Sequence, residues 1–311
     1  MEKIKVFAPA TVANVTCGFD VLGFAVNAPG DIIELQKADH NEVRILSITG
    51  DNGRLPKDAE KNTASVVIKA FLEAIGSKQG IDIHLEKQMP LGSGMGSSAA
   101  SSAAAAFAIN KLMGEPMSMK EALPFAMEGE RIACGAAHAD NVAPALLGGF
   151  VLIRSYDPLD VIKIKTPEHL YSTIVHPHIE VNTKDARNIL RGQVPLDKAV
   201  KQWGNVGGLI AGLLQSDYEM ISNSMEDTII EPIRSILIPG YDVAKAAALK
   251  NNALGFGISG SGPSMFTLSQ NEKTAKKIGE SMRDAYKQLG IGSDVYTSKV
   301  NDEGPIILYS E

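Results

Sequence analysis

The chain has 311 residues, of which 44% are hydrophobic, and it carries a formal net charge of −6. A chain of this length favours two domains over one large core. Its basic residues are scattered and its sequence pI is about 5.6, which argues against nucleic acid or an anionic membrane as a partner and favours small-molecule chemistry.

The cysteine content and the first residues predict a cytoplasmic protein. Cys17 and Cys134 lie far apart without a CxxC motif, which fits a reducing compartment and argues against a thiolate metal site. We expect both thiols to be buried. The start, MEKIKVFAPATVANV, lacks the basic-then-apolar pattern of a signal peptide, and no apolar run is long enough to cross a bilayer.

Strands and helices alternate in the first half of the predicted structure. Period-two or β-branched stretches predict strands at 3–7, 31–36, 42–49 and 80–87. Apolar residues at helical spacing predict helices at 63–75, at 97–112 and from residue 118 onward. Ser118 and Glu121 have the spacing of a capping box, although Pro124 predicts a short or kinked start for this third helix.

The pattern restarts after residue 160, which we take as the boundary between domains at 1–160 and 161–311. Further helices are predicted at 196–216, 218–225, 242–249 and 272–289. Further strands are predicted at 171–176, 254–258, 264–269 and 294–299. Short strand-to-strand connections mixed with helices favour an α+β fold over a doubly wound parallel sheet.

A glycine-rich loop, PLGSGMGSSAA, leads into the predicted alanine-rich helix. Glycine permits a tight turn, and the free amides and dipole of a helix N-terminus attract anions. The two serines add hydroxyls for a phosphate oxygen or Mg²⁺. We therefore predict a triphosphate site. Its residues are Pro90, Leu91, Gly92, Ser93, Gly94, Met95, Gly96, Ser97, Ser98, Ala99 and Ala100.

The loop alone leaves other interpretations open. A Walker A loop needs GxxxxGK[ST], and no Lys follows these glycines. A Rossmann fingerprint needs GxGxxG with an acidic residue at the end of the next strand, whereas GxGxG before a long helix stands here. The glycines could also form only a tight turn, with the serines as helix caps.

Three segments together resemble the GHMP kinase superfamily of galacto-, homoserine, mevalonate and phosphomevalonate kinases. They are PATVANVTCGFDVLGFAV, PLGSGMGSSAASSAA and GISGSGPSMF, which we call the first, second and third motifs. TVANVTCGFDVLG together with HADNVAPALLGG is similar to the homoserine kinases of that superfamily. The resemblance implies an N-terminal domain like domain 2 of ribosomal protein S5 and a ferredoxin-like C-terminal domain. It also implies ATP and Mg²⁺ in the cleft between them and phosphorylation of the side-chain hydroxyl of L-homoserine, on the route to threonine.

The matched segments contain charges suited to a zwitterionic substrate. The resemblance implies that Asn14 and Asp20 line the substrate pocket and that Asp20 binds the ammonium, although both could instead cap turns. Arg187 matches a family arginine for the carboxylate, and Arg234 is a second candidate, because a guanidinium binds a carboxylate through two parallel hydrogen bonds. Either arginine could instead be a solvated surface residue. Thr183 is a further substrate candidate that could instead only N-cap the helix of Arg187.

The segment EGERIACGAAHADN contains the remaining candidates. The resemblance implies that Glu130 and Ser98 hold Mg²⁺, with Glu128 as the competing ligand. It also implies that His138 and Asn141 contact homoserine, with Asn141 near the acceptor hydroxyl. The predicted catalytic residues are therefore Asn141, Glu130 and Ser98. A lone histidine beside small residues is otherwise more often structural.

Asp140, next to Asn141, offers a second interpretation of the chemistry. Mevalonate and sugar kinases are described with an aspartate base in the corresponding region. In a loose transition state the attacking oxygen loses its proton late, so alignment by Asn141 can suffice without a base. We expect Asp140 to support the site without acting as the general base.

The third motif and two outlying residues complete the predicted nucleotide site. Gly260 and Gly262 should let the third motif approach the glycine-rich loop, with Ser261 at most a weak contact. Asn62 and Lys87 resemble family positions around the adenine and phosphates, although Asn62 is equally suited to cap a helix.

Other classes of function stay open from the sequence. A ligand-bound sensor would require damaged metal or acceptor residues, and none is visible. A serine hydrolase would need a motif such as GxSxG, and a nicotinamide dehydrogenase is disfavoured by the loop spacing. The predicted partners are ATP and L-homoserine, and a homodimer is possible.

Overall fold

Two β-sheets organise the chain. The structure, a computed structural model, describes residues 1–135 and 137–311, except for the side chain of Cys134. Within these residues the first sheet comprises β1 (Lys3–Ala13), β2 (Leu22–Ala38), β3 (Val43–Thr49), β4 (Gly80–Glu86), β5 (Phe150–Tyr156), β6 (Leu159–Ile164) and β11 (Ile306–Ser310). The second sheet comprises β7 (Tyr171–Pro177), β8 (Gly255–Ile258), β9 (Met265–Ser269) and β10 (Ser293–Lys299).

Helices cover both sheets. Those of the first half are α1 (Thr63–Ala74), α2 (Ser97–Leu112), α3 (Met119–Cys134) and α4 (Ala139–Leu147). Those of the second half are α5 (Thr183–Asn188), α6 (Leu196–Gln215), α7 (Tyr218–Ser224), α8 (Glu231–Arg234), α9 (Tyr241–Lys250) and α10 (Glu272–Gln288), with a 3₁₀ turn at Ser235–Leu237. None of the described helices combines the length and apolarity needed to span a bilayer.

The sheets are almost entirely antiparallel, and the predicted α+β fold is confirmed. The first sheet has the order β11-β1-β2-β4-β3, with β5 paired to both β2 and β6. Only β3 and β4 pair in parallel. The second sheet has the order β10-β7-β9-β8 and is antiparallel throughout. Antiparallel sheets with helices on one face are the arrangement that short strand-to-strand connections favour.

Helix α2 is buried at the centre of the first half. Ala99, Ala100 and Ala103 are fully buried, and the helix contacts β1 and β2 as well as α1, α3 and α4. Small side chains allow this close approach from several sides. The surrounding elements therefore fix the N-terminus of α2, where the glycine-rich loop ends.

Several predicted elements differ from those observed. β2 begins well before the predicted strand at 31–36: Gly23 pairs with Ala13 of β1, and around Pro29 the pairing to β1 shifts register without ending the strand. The sequence did not predict β5, β6, β11, α4 or α8. The capping box of Ser118 and Glu121 is confirmed, but α3 runs through Pro124 for 16 residues, so the expected short start is wrong. Cys17 is buried as predicted, whereas the Cys134 thiol lies outside the described residues.

Two strands depart from the predicted division at residue 160. β6 runs across this position, and it pairs with β5 in the first sheet. β11, near the end of the chain, returns to pair with β1. Both strands satisfy backbone hydrogen bonds of the first sheet, so the predicted second domain contributes residues to the first sheet.

A buried ion pair ties the first sheet to α2. The Lys87 ammonium contacts the Asp31 carboxylate, and both side chains are 2% exposed. The same ammonium donates to the Ser97 carbonyl (2.9 Å) and to the Ser101 hydroxyl (2.6 Å). The Ser97 hydroxyl donates to Asp31 (2.8 Å), and the amides of residues 88 and 89 donate to its other oxygen. Burial lowers the pKa of Lys87, and the charge of Asp31 opposes that shift.

We expect Lys87→Met to destabilise the protein. Removing one member of a buried ion pair leaves the other charge uncompensated and costs about 3–5 kcal/mol. Urea unfolding followed by circular dichroism should show a loss of this size in the free energy of unfolding. Lys201→Met removes an exposed partner of Glu226 and should cost less than about 1 kcal/mol. Equal losses in the two variants would contradict a role for the buried pair.

Candidate active site

Backbone of the three motifs meets at the start of α2. The Thr11 amide of the first motif donates to the Met95 carbonyl of the second (3.0 Å). The Ser259 hydroxyl of the third motif donates to the Gly94 carbonyl (2.7 Å), and the Ser264 amide donates to the Ser93 carbonyl (3.1 Å). The predicted close approach of the third motif to the glycine-rich loop is therefore present.

The first motif contains unusual backbone conformations. Asn14, Thr16 and Asp20 all have positive φ, at 67°, 47° and 59°. For the β-branched Thr16 this conformation is strained, and such strain persists only where surrounding contacts enforce it. The Asn14 side chain donates to the Gly260 carbonyl (2.7 Å) and accepts from the Asp20 amide (3.0 Å). Asn14 therefore joins the first motif to the third.

The glycine-rich loop leaves the start of α2 without a side-chain cap. Gly92, Gly94 and Gly96 have φ of 71°, 79° and 69°, and Gly96 occupies the N-cap position. A Cβ on Gly94 would lie 2.8 Å from the Gly262 carbonyl oxygen, so that position requires glycine for space as well as for conformation. Helix N-terminal amides without a side-chain cap form an anion site.

The two serines of the loop do not cap the helix. Ser97 is buried and its hydroxyl is bonded to Asp31. Ser98 instead donates to Glu130 Oε2 across 2.8 Å. The interpretation of the loop as a turn with capping serines therefore does not fit the geometry.

Ser98 and Glu130 form a pair of oxygen donors suited to Mg²⁺. Glu130 is 6% exposed and lies on α3 opposite the first turn of α2. The competing candidate, Glu128, points elsewhere and pairs with Arg131 at 2.6 Å. No cluster of three or more His, Cys, Asp or Glu residues suited to a metal occurs in 1–135 or 137–311. One carboxylate is nevertheless sufficient for a Mg²⁺ ion that substrate phosphates and water also coordinate.

Asn141 lies beside the glycine-rich loop, and His138 begins the same helix. The Thr11 hydroxyl donates to Asn141 Oδ1 at 2.8 Å. A Cβ on Gly96 would lie 2.9 Å from the same oxygen, so the amide is next to the phosphate-loop backbone. His138 is the N-cap residue of α4, is partly exposed, and makes no side-chain capping bond.

Asp140 is a buried carboxyl next to Asn141. It is 3% exposed. Burial, followed by the charges of Asp20 and Glu130, raises the pKa of Asp140 from 3.8 to about 7. Its protonation is therefore sensitive to pH near neutrality.

Opposite charges of the predicted substrate pocket contact each other directly. Arg187 donates to both carboxylate oxygens of Asp20, at 3.1 and 2.7 Å. This bidentate pair raises the pKa of Arg187. Both side chains stay partly accessible, with exposed fractions of 47% for Arg187 and 26% for Asp20.

Arg234 is buried, not solvated. Its side chain is 4% exposed, and it donates to the carbonyls of Ala186 (2.9 Å) and Gly260 (3.1 Å). Burial lowers its pKa, while the charge of Asp20 opposes that shift. The interpretation of Arg234 as a surface residue is therefore wrong.

Thr183 does not cap its helix. Asn182 is the N-cap residue of α5 and accepts from the amides of Lys184 and Asp185, so the capping interpretation of Thr183 is wrong. The Thr183 hydroxyl instead lies 3.1 Å from the Ser261 hydroxyl of the third motif. α5, which carries Arg187, is thereby joined to the third motif.

Asn62 and Lys87 have structural partners. Asn62 caps α1 by accepting from the Ala64 amide (3.1 Å) and donates to the Pro56 carbonyl (2.9 Å). The Lys87 ammonium is bonded to Asp31, Ser97 and Ser101, as described above. Nucleotide contacts by these two residues stay predictions.

Sequence reasoning missed residues that hold the site together. The Tyr156 hydroxyl donates to the Asp20 carbonyl (3.1 Å) and accepts from the Ala139 amide (3.3 Å), linking the first motif to α4. Thr11 and Asp31 were also missed. An acidic residue at the start of a strongly apolar strand, as in DIIEL, is a signal that could have drawn attention to Asp31.

Family models and curated proteins match this chain. The model of the GHMP kinases N terminal domain matches residues 62–149, and that of the GHMP kinases C terminal matches residues 209–288. The homoserine kinase of Chlorobium phaeobacteroides is 52% identical over 99% of this chain and 100% of its own length. The homoserine kinase of Methanococcus maripaludis is 40% identical over 88% of this chain and 89% of its own length.

Solved structures agree with these matches. The homoserine kinase of Cytophaga hutchinsonii has a TM-score of 0.97 at 63% identity, covering 99% of this chain and 98% of that one. The L. major mevalonate kinase in complex with R-mevalonate has a TM-score of 0.71 at 15% identity, covering 95% and 96% of the two chains. The second comparison shows likeness of fold alone.

We expect Asp140→Asn to change how stability depends on pH. Because the pKa of Asp140 is raised to about 7 from 3.8, the native state holds a proton there that the unfolded chain loses. The free energy of unfolding therefore falls as pH rises through this window, and the effect ends above it.

The variant lacks this titration, so its stability relative to the wild type should rise by roughly 1.4 kcal/mol per pH unit between pH 5 and 7. Urea unfolding of both proteins in EDTA at pH 5, 6, 7 and 8 measures this difference. Parallel stability curves would contradict the raised pKa.

Proposed function

Because the chain belongs to the GHMP kinases and, within them, to the homoserine kinase family, we propose that it phosphorylates L-homoserine. It transfers the terminal phosphoryl group of ATP to the side-chain hydroxyl, and O-phospho-L-homoserine then serves threonine biosynthesis. The observation that carries this proposal is the junction of the three motifs at the uncapped start of α2, with candidate acceptor and metal residues around it.

The glycine-rich loop binds the phosphates of ATP. The amides at the start of α2 lack a side-chain cap, and the adjacent glycines bring no side chain between the backbone and a bound anion. The buried pair of Lys87 and Asp31 fixes Ser97 from behind. Lys87 acts in this proposal as an anchor of the loop.

Glu130 and Ser98 would hold the Mg²⁺ ion. They provide a carboxylate and a hydroxyl oxygen within one hydrogen bond of each other, which is the chemistry that Mg²⁺ prefers. When bound, Mg²⁺ neutralises charge on the phosphate oxygens.

Asp20, Arg187 and Arg234 recognise the two charged groups of homoserine. Asp20 binds the ammonium, and the arginines bind the carboxylate, because planar guanidinium groups fit a carboxylate in two hydrogen bonds. His138 and Thr183 are proposed to contact the substrate from α4 and α5. Asn14 keeps the Asp20 backbone in place through its bond to the Asp20 amide.

Asn141 aligns the acceptor hydroxyl. Its side-chain oxygen accepts a hydrogen bond from the Thr11 hydroxyl. This bond restrains the rotation of the amide group, which can then orient a bound alcohol. Phosphoryl transfer depends mainly on positioning and charge neutralisation. Asp140 supports this arrangement without acting as the base.

A homodimer and a cytoplasmic location are further proposals. Apolar side chains that share one exposed face of α6 support the dimer. They are Leu196, Val200, Trp203 and Leu214, exposed by 71%, 55%, 64% and 55%.

Scattered basic residues and cysteine usage support the proposed cytoplasmic location.

An acceptor panel tests the activity. ADP release with ATP and Mg²⁺ should be at least roughly 100-fold faster, as kcat/KM, with homoserine than with mevalonate, galactose or shikimate, because a pocket built for charged groups rejects acceptors that leave them unpaired. Nucleotide binding without turnover of any acceptor would instead indicate a sensor.

Matched variants of α3 provide the metal control for this assay. Glu130→Gln should raise the Mg²⁺ concentration for half-maximal activity by more than about 10-fold, because an amide is a weaker ligand than a carboxylate. Glu128→Gln removes the partner of Arg131 and should leave it unchanged. Equal effects of the two variants would contradict the assignment of Glu130.

We expect Asp140→Asn to keep kcat within about 10-fold of the wild type, because general base catalysis is typically worth 10²–10⁴-fold. Saturating homoserine and ATP at pH 7.5 give kcat directly, and circular dichroism checks folding. A loss of several orders of magnitude in a folded variant would restore the base mechanism.

A further inference from the structure

The ring of Phe19 lies against both candidate carboxylate-binding arginines. The guanidinium carbon of Arg187 is 5.6 Å from the ring centroid, and that of Arg234 is 4.9 Å from it. Both distances are within the range of a cation–π contact. Phe19 is only partly buried and precedes Asp20, so adjacent residues of the first motif contact the cations and supply the anion of the site.

Arg234 needs an anion that the surrounding protein does not supply in full. Its guanidinium donates to the neutral carbonyls of Ala186 and Gly260, and within residues 1–135 and 137–311 no carboxylate forms an ion pair with it. A buried cation without a paired anion is costly. The Phe19 ring offsets part of that cost, and a bound carboxylate would offset more.

Asp20 and Arg187 form an ion pair with each other, although each is proposed to bind one charged group of a zwitterionic substrate. Their bidentate contact occupies the anion and one cation of the predicted pocket. An amino acid that enters can exchange partners, because its ammonium replaces Arg187 on Asp20 and its carboxylate replaces Asp20 on Arg187. A ligand with only one of the two charges breaks the same pair and leaves one protein charge unpaired.

This exchange requires Arg187 to stay in position after Asp20 releases it. Arg187 is 47% exposed, and a free arginine side chain has many rotamers to lose on binding. The contact with the Phe19 ring uses the face of the guanidinium and not its bonds to Asp20. It therefore restrains the guanidinium during the exchange.

We propose that Phe19 is a positioning residue for recognition of the substrate carboxylate, because its ring holds the Arg187 and Arg234 guanidinium groups ready while the Asp20–Arg187 pair opens. This inference rests on the proposed homoserine kinase activity. Phe19 itself contributes no group to the phosphoryl transfer.

The test compares acceptors that differ by one charged group. 3-Aminopropan-1-ol lacks the carboxylate of homoserine, and 4-hydroxybutyrate lacks its ammonium. In Phe19→Leu, kcat/KM for homoserine and 4-hydroxybutyrate should fall by roughly 10-fold, the size expected for lost cation–π contacts. For homoserine the loss should appear in KM and not in kcat. The value for 3-aminopropan-1-ol and the KM for ATP should change by less than about 2-fold.

Phe19→Tyr keeps the ring and should behave like the wild type. Phe19→Met is the second non-aromatic variant if Phe19→Leu does not fold, and competitive inhibition constants of the two analogues give the same ratios if their turnover is slow. An equal loss with all three acceptors, or no loss with homoserine, would overturn the role of Phe19. A wild-type protein that does not phosphorylate homoserine would instead overturn the proposed function.

Discussion

Backbone from three distant parts of the chain converges at the start of α2, and the site depends on glycines that let these segments approach closely. Gly94 lies against the third motif so closely that a Cβ would meet the Gly262 carbonyl oxygen. Asn14 then bridges the first and third motifs through Gly260. A helix N-terminus that is closed in by backbone presents amides and little else, which suits a ligand with several negative oxygens.

Two ion pairs near the site have different consequences because they differ in accessibility. Asp31 and Lys87 are both 2% exposed, and further hydrogen bonds surround them, so their contact is shielded from solvent and has a structural role. Asp20 and Arg187 are partly exposed, so water and small molecules can reach them and their contact can be exchanged. The first pair fixes the loop, while the second leaves two charged groups within reach of solvent.

Local patterns predicted the parts of the site that depend on local chemistry. The glycine-rich loop and the capping box at Ser118 follow from short spacings, whereas the pairing of Ser98 with Glu130 follows from the family resemblance. The partners of Lys87 and Arg234 could not be predicted this way, because burial and long-range contacts decide them. The cap of α5 also could not be predicted from residue types, because Asn182 and Thr183 are both suitable N-cap residues. The backbone conformation places Asn182 at the N-cap position.

Because β11 pairs with β1, the first sheet can be completed only late in synthesis on the ribosome. β1 emerges first, yet one of its edges stays unpaired until residues 306–310 follow at the opposite end of the chain. An unpaired strand edge is a template for pairing with other chains. The nascent polypeptide therefore carries an open edge through most of translation, and the first sheet is completed only after the rest of the chain has been made.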